Sequence, residues 1–361
     1  MTVIDTATSA SYWDAVVAEF PDASVYQTSD WARAKGPRTT PRRVVLTDDT
    51  GVPVAGAQLL IRRMAPGTVA AYVPYGPLMA EGVTDDAAVA ARAVSAVTDE
   101  ARRAGCSVVF IQPSRRDRVS AGILEADGYR PAPIEVGTSS TLQTELGRAD
   151  DEIFAELSKA RRRDVRRAHR RGVVVEEGAA DDVEVLYRLH QASAKRQGFL
   201  PMSADYLWRQ WEALGPSGHL RLFVARVDGT VRAAGTMLAF GPWAEFKLTG
   251  WDGSDEARNA CVNEALNWEM MSWANANGFR WFDLGGLPRD LAQQALVDGL
   301  DDTIRGTASE FKHRWGGRVA VYPTTYEKVI RPIGHLAYRL PSRLLDDHGL
   351  GGRIVNWIRR T

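Results

Sequence analysis

The residues in this chain best suited to chemistry are cationic, and they are unevenly placed. Residues 158–171, SKARRRDVRRAHRR, hold eight Lys and Arg side chains and His169 beside a single acid. On a helix these charges cover nearly the whole circumference, and like charges four residues apart repel. A polyanion such as RNA and plain solvent are both open as the partner of this run. Only six of the 45 basic residues are lysines, Lys35, Lys159, Lys195, Lys247, Lys312 and Lys328, so each is harder to dismiss as surface filler. Other chemistries lack their signatures. There is no HExxH, no GxSxG, no GxxxxGK and no GxGxxG after a strand. Cys106 and Cys261 form no CxxC and have no His at ligand spacing, so no metal site is indicated and both read as small core residues.

The elements that must position these residues repeat along the chain. VVLTDDTGVPVAGAQLLI (44–61) and LFVARVDGTVRAAGTMLAF (222–240) each read as two strands around a turn, and both second strands carry A-G-x-x-L, at Ala55, Gly56, Leu59 and at Ala234, Gly235, Leu238. Further on, a helix beginning near Asp85 and Asp86 runs into ARRAGCSVVFIQP, and one from about Glu256 runs into ANANGFRWFDLGG. Each stops at a glycine, Gly105 or Gly278, where a left-handed cap is favoured, and an apolar strand follows. Similar elements in the same order predict a duplicated α/β unit, and the 361-residue length suits two domains.

A hairpin leading through further strands to a helix and a buried strand suits the acetyltransferase-like (GNAT-like) fold, a mixed sheet whose central strands part to hold an acyl donor. The expectation is therefore an α/β chain of two tandem GNAT-like domains. Acyl-CoA chemistry would call for an R/Q-x-x-G-x-G/A loop, where backbone N–H groups approach a diphosphate. Neither copy has one, and the matching turn of the second copy reads SDEARNACVNEAL, with acids where the diphosphate would sit. The donor stays open on this reading.

Basic and acidic residues balance at 45 each, so a polyanion must be met by a local patch. The amino terminus lacks the basic and apolar regions of a signal peptide, and no apolar run approaches the roughly 18 residues of a membrane span. A cytoplasmic protein is expected, with the inner face of the membrane as an alternative site. The tail from about Arg331 to Arg360, with Leu336, Leu340, Leu344, Leu345, Val355 and Ile358 among arginines, could rest on a membrane or pack on the first domain.

Six segments, in order, resemble the Fem peptidyltransferases, which build peptidoglycan cross-bridges from aminoacyl-tRNA: YQTSDWARAKG (26–36), YVPYGPL (72–78), KARRRDVRRAHRRGV (159–173), SAKRQGF (193–199), NWEMMSWANANGFRWFDLGG (267–286) and EFKHRWGG (310–317). The resemblance implies transfer of an amino acid from aminoacyl-tRNA to an amine of the stem peptide of a UDP-linked or lipid-linked muropeptide, by a monomer that needs no cofactor. It implies that Lys35 and Arg196 meet the diphosphate of that precursor, which suits a compact ammonium and a bidentate guanidinium. It further implies that Phe311 and Lys312 act at the aminoacyl end of tRNA, by stacking the terminal adenine and by meeting a phosphate or the developing oxyanion. Arg161, Arg162, Arg166 and Arg170 become candidate tRNA contacts. Tyr75, Tyr206 and Asp283 are candidate cleft residues, with a structural role as the alternative.

Two features depart from the family. Gln112-Pro113 stands where many members carry Asp-Pro, and glutamine cannot take a proton. The long helical arm of some members is missing. The expected layout is an acceptor-side domain over 1–147, a tRNA-side domain over 148–315, and a segment 316–361 packing back on the first. A ligase acting on a peptide natural product, an acyl-CoA N-acyltransferase and a non-catalytic RNA-binding protein are the alternatives.

Overall fold

The computed structural model describes residues 2–4, 9–65, 67–83, 86–115, 121–133, 137–298 and 312–331; Phe311 and the tail beyond Arg331 lie outside them. The chain divides into two compact units. One takes the residues up to Ser139 and resumes at Tyr322, and the other runs from Ser140 to Val321. These limits differ from the expected 147/148 and 315/316 because backbone pairing sets them. The strands Ser140–Glu145 and Arg318–Val321 pair with each other in the second sheet.

The first unit opens with β1 (Thr2–Ile4), α1 (Ala10–Glu19), α2 (Ser29–Ala34), β2 (Thr40–Thr47), β3 (Pro53–Ala65) and β4 (Thr68–Val73). It continues with β5 (Leu78–Met79), α3 (Ala87–Arg103), β6 (Val108–Ile111), α4 (Ala121–Ala126) and β7 (Arg130–Pro131). The second unit contains β8 (Ser140–Glu145), α5 (Asp150–Glu156), α6 (Lys159–Arg170), β9 (Val174–Glu177), α7 (Asp182–Gln197) and α8 (Ala204–Leu214). After these come β10 (Leu220–Val227), β11 (Thr230–Phe240), β12 (Trp243–Trp251), α9 (Asp255–Ala260), α10 (Val262–Ala276), β13 (Trp281–Gly286), α11 (Arg289–Asp298) and β14 (Arg318–Val321). Last, β15 (Tyr326–Val329) belongs to the first unit.

The first sheet has the order β1-β2-β3-β4-β6-β15-β7, with β5 beside β3, and the second β14-β8-β13-β12-β11-β10-β9. Each contains an antiparallel hairpin, a third antiparallel strand, and a parallel strand reached through a helix: β6 beside β4, and β13 beside β12. The chain is thus α/β with two tandem GNAT-like units. The position after the parallel strand is filled by exchange. β8 follows the first repeat in sequence but pairs with β13, while β15 follows the second repeat and pairs with β6.

The shared A-G-x-x-L is not an equivalence of position. Val44 pairs with Ala57 and Phe223 with Gly235, a span one residue shorter in the second hairpin, so Gly235 stands where Ala57 does. A one-residue slip in a strand changes the face. Accordingly an added Cβ at Gly56 would meet Trp13 of α1, and one at Gly235 would meet Leu266 of α10. The helix-ending glycines do correspond, both with positive φ, +73° at Gly105 and +80° at Gly278. The helix expected from Glu256 is broken at Cys261, which takes φ +57° between α9 and α10.

In the second unit α10 buries Leu266, Met270, Met271 and Ala274 with Phe223, Ala225, Phe282 and Trp315. On the opposite face Leu186 and Leu189 of α7 and Leu207 of α8 cover Leu222, Val224 and Ala234. Gly250 of β12 fixes how closely α7 lies to the sheet, because an added Cβ would stand 2.3 Å from the His190 nitrogen and 2.5 Å from the Leu189 carbonyl carbon. Backbone cannot step aside as a flexible side chain can. Gly250→Ala is therefore expected to destabilise the protein by about 1–3 kcal/mol and lower Tm by several degrees in calorimetry. Gly82→Ala, with no atom within 4 Å of its added Cβ, should leave Tm unchanged.

Candidate active site

The second sheet opens between its parallel strands. β12 pairs with β13 only from Trp243 to Glu245, opposite Trp281 to Asp283, although both strands continue. The β11–β12 register shifts after Thr236, whose partner is Leu248, so that Lys247 is the extra residue of a β-bulge where the strands part. Bulges re-aim side chains and end pairing, and they recur beside active sites. The Lys247 ammonium lies 5.8 Å from the ring centre of Tyr206 on α8, which joins the expected cleft residue Tyr206 to a lysine notable in the sequence only for its rarity.

On the facing strand, Asp283 is buried and tied to its own turn. Thr141 of β8 donates to Asp283 Oδ1 at 2.5 Å, and the Gly285 N–H donates to the same oxygen at 2.8 Å. Gly285 has φ +80°, a conformation that glycine adopts without strain. Lys312 Nζ donates to the Gly286 carbonyl at 2.6 Å. Burial lowers the pKa of Lys312, and the nearby Asp283 charge opposes that shift. Asp283 and Lys312 are thus brought together at the end of β13. No sequence signal pointed to Thr141, because its role depends on the exchange that carries β8 into this sheet.

Beyond the parting, α7 takes up the backbone of β12. The Ser193 hydroxyl accepts from the Trp251 N–H at 3.0 Å, and Arg196 Nη2 donates to the Trp251 carbonyl at 2.7 Å. The His190 ring lies 3.2 Å through Nδ1 from the Thr249 carbonyl. The Arg196 guanidinium also lies 4.5 Å over the Trp251 ring, so this expected substrate ligand has a structural task as well.

Next in the chain, where a GNAT-like fold would hold a diphosphate, the start of α9 meets the protein's own acids. Ser254 caps the helix by accepting from the Ala257 N–H, and Asp255 and Glu256 occupy the first turn. Asp252 accepts from the Ser254 N–H and hydroxyl and from Arg232. Burial works against the Asp252 charge, but these hydrogen bonds hold its carboxyl below the ordinary value. Glu256 pairs with the same Arg232.

The basic run forms α6, and its arginines divide. Arg161 is buried, ion-paired with Glu264 of α10, and lies 4.9 Å over the Trp315 ring, which removes it from any exposed tRNA-contacting set. Arg162 is half-buried and donates to the Ala155 and Leu157 carbonyls, tying α6 to α5. Arg166 and Arg170 are exposed, Arg166 lying 5.2 Å over Phe154.

In the first unit β4 stays paired with β6 along its last four residues, Ala70 to Val73. Lys35 ends α2, is only 4% exposed and lies 4.8 Å over Trp31. Tyr75, with φ +48°, is buried against Tyr26, Tyr322 and the Arg115 guanidinium, 5.0 Å away. Gln112 accepts from the Tyr72 hydroxyl at 2.6 Å and donates to the Thr138 carbonyl at 2.9 Å. A carboxylate could not make the second bond, so the amide that departs from the family pattern is suited to this place. The structure describes nothing of Phe311.

Residues 158–294 match the acetyltransferase (GNAT) domain family. A protein of Staphylococcus epidermidis named lipid II:glycine glycyltransferase is 21% identical, over 56% of this chain and 62% of its own length. Its namesake in Staphylococcus haemolyticus is 26% identical, over 60% of this chain and 53% of its own. The chain thus spans between about half and three fifths of these relatives. Among solved structures, a crystal structure of FemX matches with TM-score 0.78 at 18% identity, covering 93% of this chain and 99% of that one. The C-terminal domain of a putative lysylphosphatidylglycerol synthetase from Agrobacterium fabrum matches with TM-score 0.52 at 15% identity, covering 93% and 98%.

The division within α6 can be measured. Arg161→Ala strands Glu264 in a largely buried position and should cost about 3 kcal/mol in urea unfolding. Arg170→Ala, at an exposed position, should change stability by less than about 0.5 kcal/mol.

Proposed function

We infer that this chain, a member of the Fem family by sequence and fold, is an aminoacyltransferase that moves an amino acid from aminoacyl-tRNA to an amine of a peptidoglycan precursor, forming part of an interpeptide bridge. The observation that carries this reading is the parted strand pair of the second unit, with Lys312 and Asp283 at its end and the protein's own acids at the following helix start. A GNAT-like sheet parted in this way suits acyl transfer. Acids at the start of α9 disfavour a donor whose diphosphate must lie there, and an ester on the end of an RNA makes no such demand. The names of the staphylococcal relatives supply the acceptor class.

In this reading the aminoacyl ester enters between β12 and β13. Lys312, whose ammonium already reaches the last carbonyl of β13, faces the ester carbonyl and stabilises the oxyanion that forms on attack. Phe311, its neighbour in sequence, stacks the terminal adenine. Two exposed arginines of α6, Arg166 and Arg170, with Arg162 beside them, meet backbone phosphates. Lys35 and Arg196 recognise the acceptor through its diphosphate. The ester is already activated, so alignment and charge stabilisation supply most of the rate and no covalent enzyme intermediate is needed.

Purified protein is to be assayed with charged tRNAs and with acetyl-CoA, against UDP-linked and lipid-linked muropeptides. Transfer from charged tRNA that falls with salt is expected, with a flatter salt dependence once Arg166 and Arg170 are replaced by alanine. Lys312→Met should lower kcat by about 10²–10³-fold with little change in either KM. Lys35→Ala and Arg196→Ala should mainly raise the acceptor KM. Transfer from acetyl-CoA that survives ribonuclease would instead make the protein an acyl-CoA N-acyltransferase.

A further inference from the structure

Among the described residues that cap the parted strand, His190 is the one whose chemistry is left half used. The residue is 3% exposed. The partner of Nδ1 is a carbonyl, that of Thr249, which can only accept, so Nδ1 carries the hydrogen and Nε2 presents a lone pair. That Nε2 is buried and has no hydrogen-bond partner among the described residues. Buried polar atoms are rarely left so, and an exception calls for a ligand or a role. Burial lowers the His190 pKa, with the Thr249 carbonyl opposing, which keeps the ring neutral and the lone pair available. Nearby, Phe199 follows α7 with its ring centre 5.4 Å from the imidazole, and this phenylalanine is 40% exposed. The imidazole therefore lies between the freed backbone of β12 and an aromatic side chain open to solvent. The only group that can satisfy Nε2 in this tautomer is a donor. Aminoacyl transfer requires one such donor at the parted strands, the attacking amine.

We propose that His190 is the residue that receives the acceptor amine: Nε2 accepts a hydrogen bond from its N–H and takes that proton as the amide forms. The amine lone pair makes the new C–N bond, and the ester C–O bond breaks with its electron pair going to the ribose oxygen. The proton held at Nε2 then passes to that oxygen, giving an amide, a free ribose hydroxyl and the imidazole as it began. This assignment rests on the aminoacyltransferase reading, and Thr249 holds the ring in the tautomer it needs.

Two measurements test it. In protein labelled with ¹⁵N-histidine, the spectrum of the six histidines identifies His190 by the signal lost in His190→Asn. The His190 Nε2 resonance should move on addition of a muropeptide bearing the free amine and stay in place with the des-amino analogue, with no donor present. In the transfer assay, His190→Asn keeps an amide N–H for the Thr249 carbonyl and removes only the Nε2 function. It should lose about 10²-fold or more in kcat while the KM for charged tRNA is unchanged. A resonance indifferent to both muropeptides, or a His190→Asn enzyme with wild-type kcat, overturns the proposal. A wild-type protein that transfers nothing from charged tRNA would contradict the aminoacyltransferase reading instead, and the resonance test would still decide what His190 binds.

Discussion

The separation of β12 from β13 after Glu245 and Asp283 is the constraint on which the second unit depends. Two parallel strands that stop pairing leave N–H and C=O groups that must find other partners, since a buried unpaired backbone group costs as much as a lost hydrogen bond. The protein satisfies them with side chains. Ser193, Arg196 and His190 serve β12, while Lys312 and the carboxylate of Asp283 serve the turn at Gly285 and Gly286. Each has a structural task there, and for Arg196, His190 and Lys312 substitutions need to separate that task from the proposed chemical role.

Close approach is what makes this arrangement possible. At Gly250 the backbone of α7 comes so near to β12 that no Cβ fits, and three α7 side chains spaced three residues apart, His190, Ser193 and Arg196, face the strand in a row. The exchange of β8 and β15 contributes from the other side. By placing Thr141 beside Asp283, β8 brings a hydroxyl from just after the first repeat to the opening of the second.

The duplication, the helix-capping glycines and the GNAT-like order of elements were legible in the sequence because they follow from local patterns: hairpin alternation, a left-handed cap, an apolar strand after a helix. The strand exchange was not, since pairing between β8 and β13 joins residues some 140 apart and leaves no local trace. The A-G-x-x-L match misled by one residue, because hairpin length decides register and sequence identity does not. Lysine rarity set Lys247 apart only as one of six, and Lys312 was named through the resemblance; neither signal showed where on the sheet they lie. The basic run was readable as a charged helix, yet burial of Arg161 against Glu264 and Trp315 depends on α10, a partner that charge spacing cannot reveal. His190 had no signal at all, being one histidine in an ordinary helix until the sheet parts beneath it.

The proposed reading puts the aminoacyl end of the donor in the opening between β12 and β13. A crystal structure with a non-hydrolysable aminoacyl-adenosine analogue tests it most directly. The acyl carbonyl oxygen is expected between the two strands, within hydrogen-bonding range of Lys312 Nζ, roughly 2.7–3.1 Å. An analogue bound elsewhere on the protein, with Lys312 still bonded to the Gly286 carbonyl and the opening filled by solvent, would contradict it.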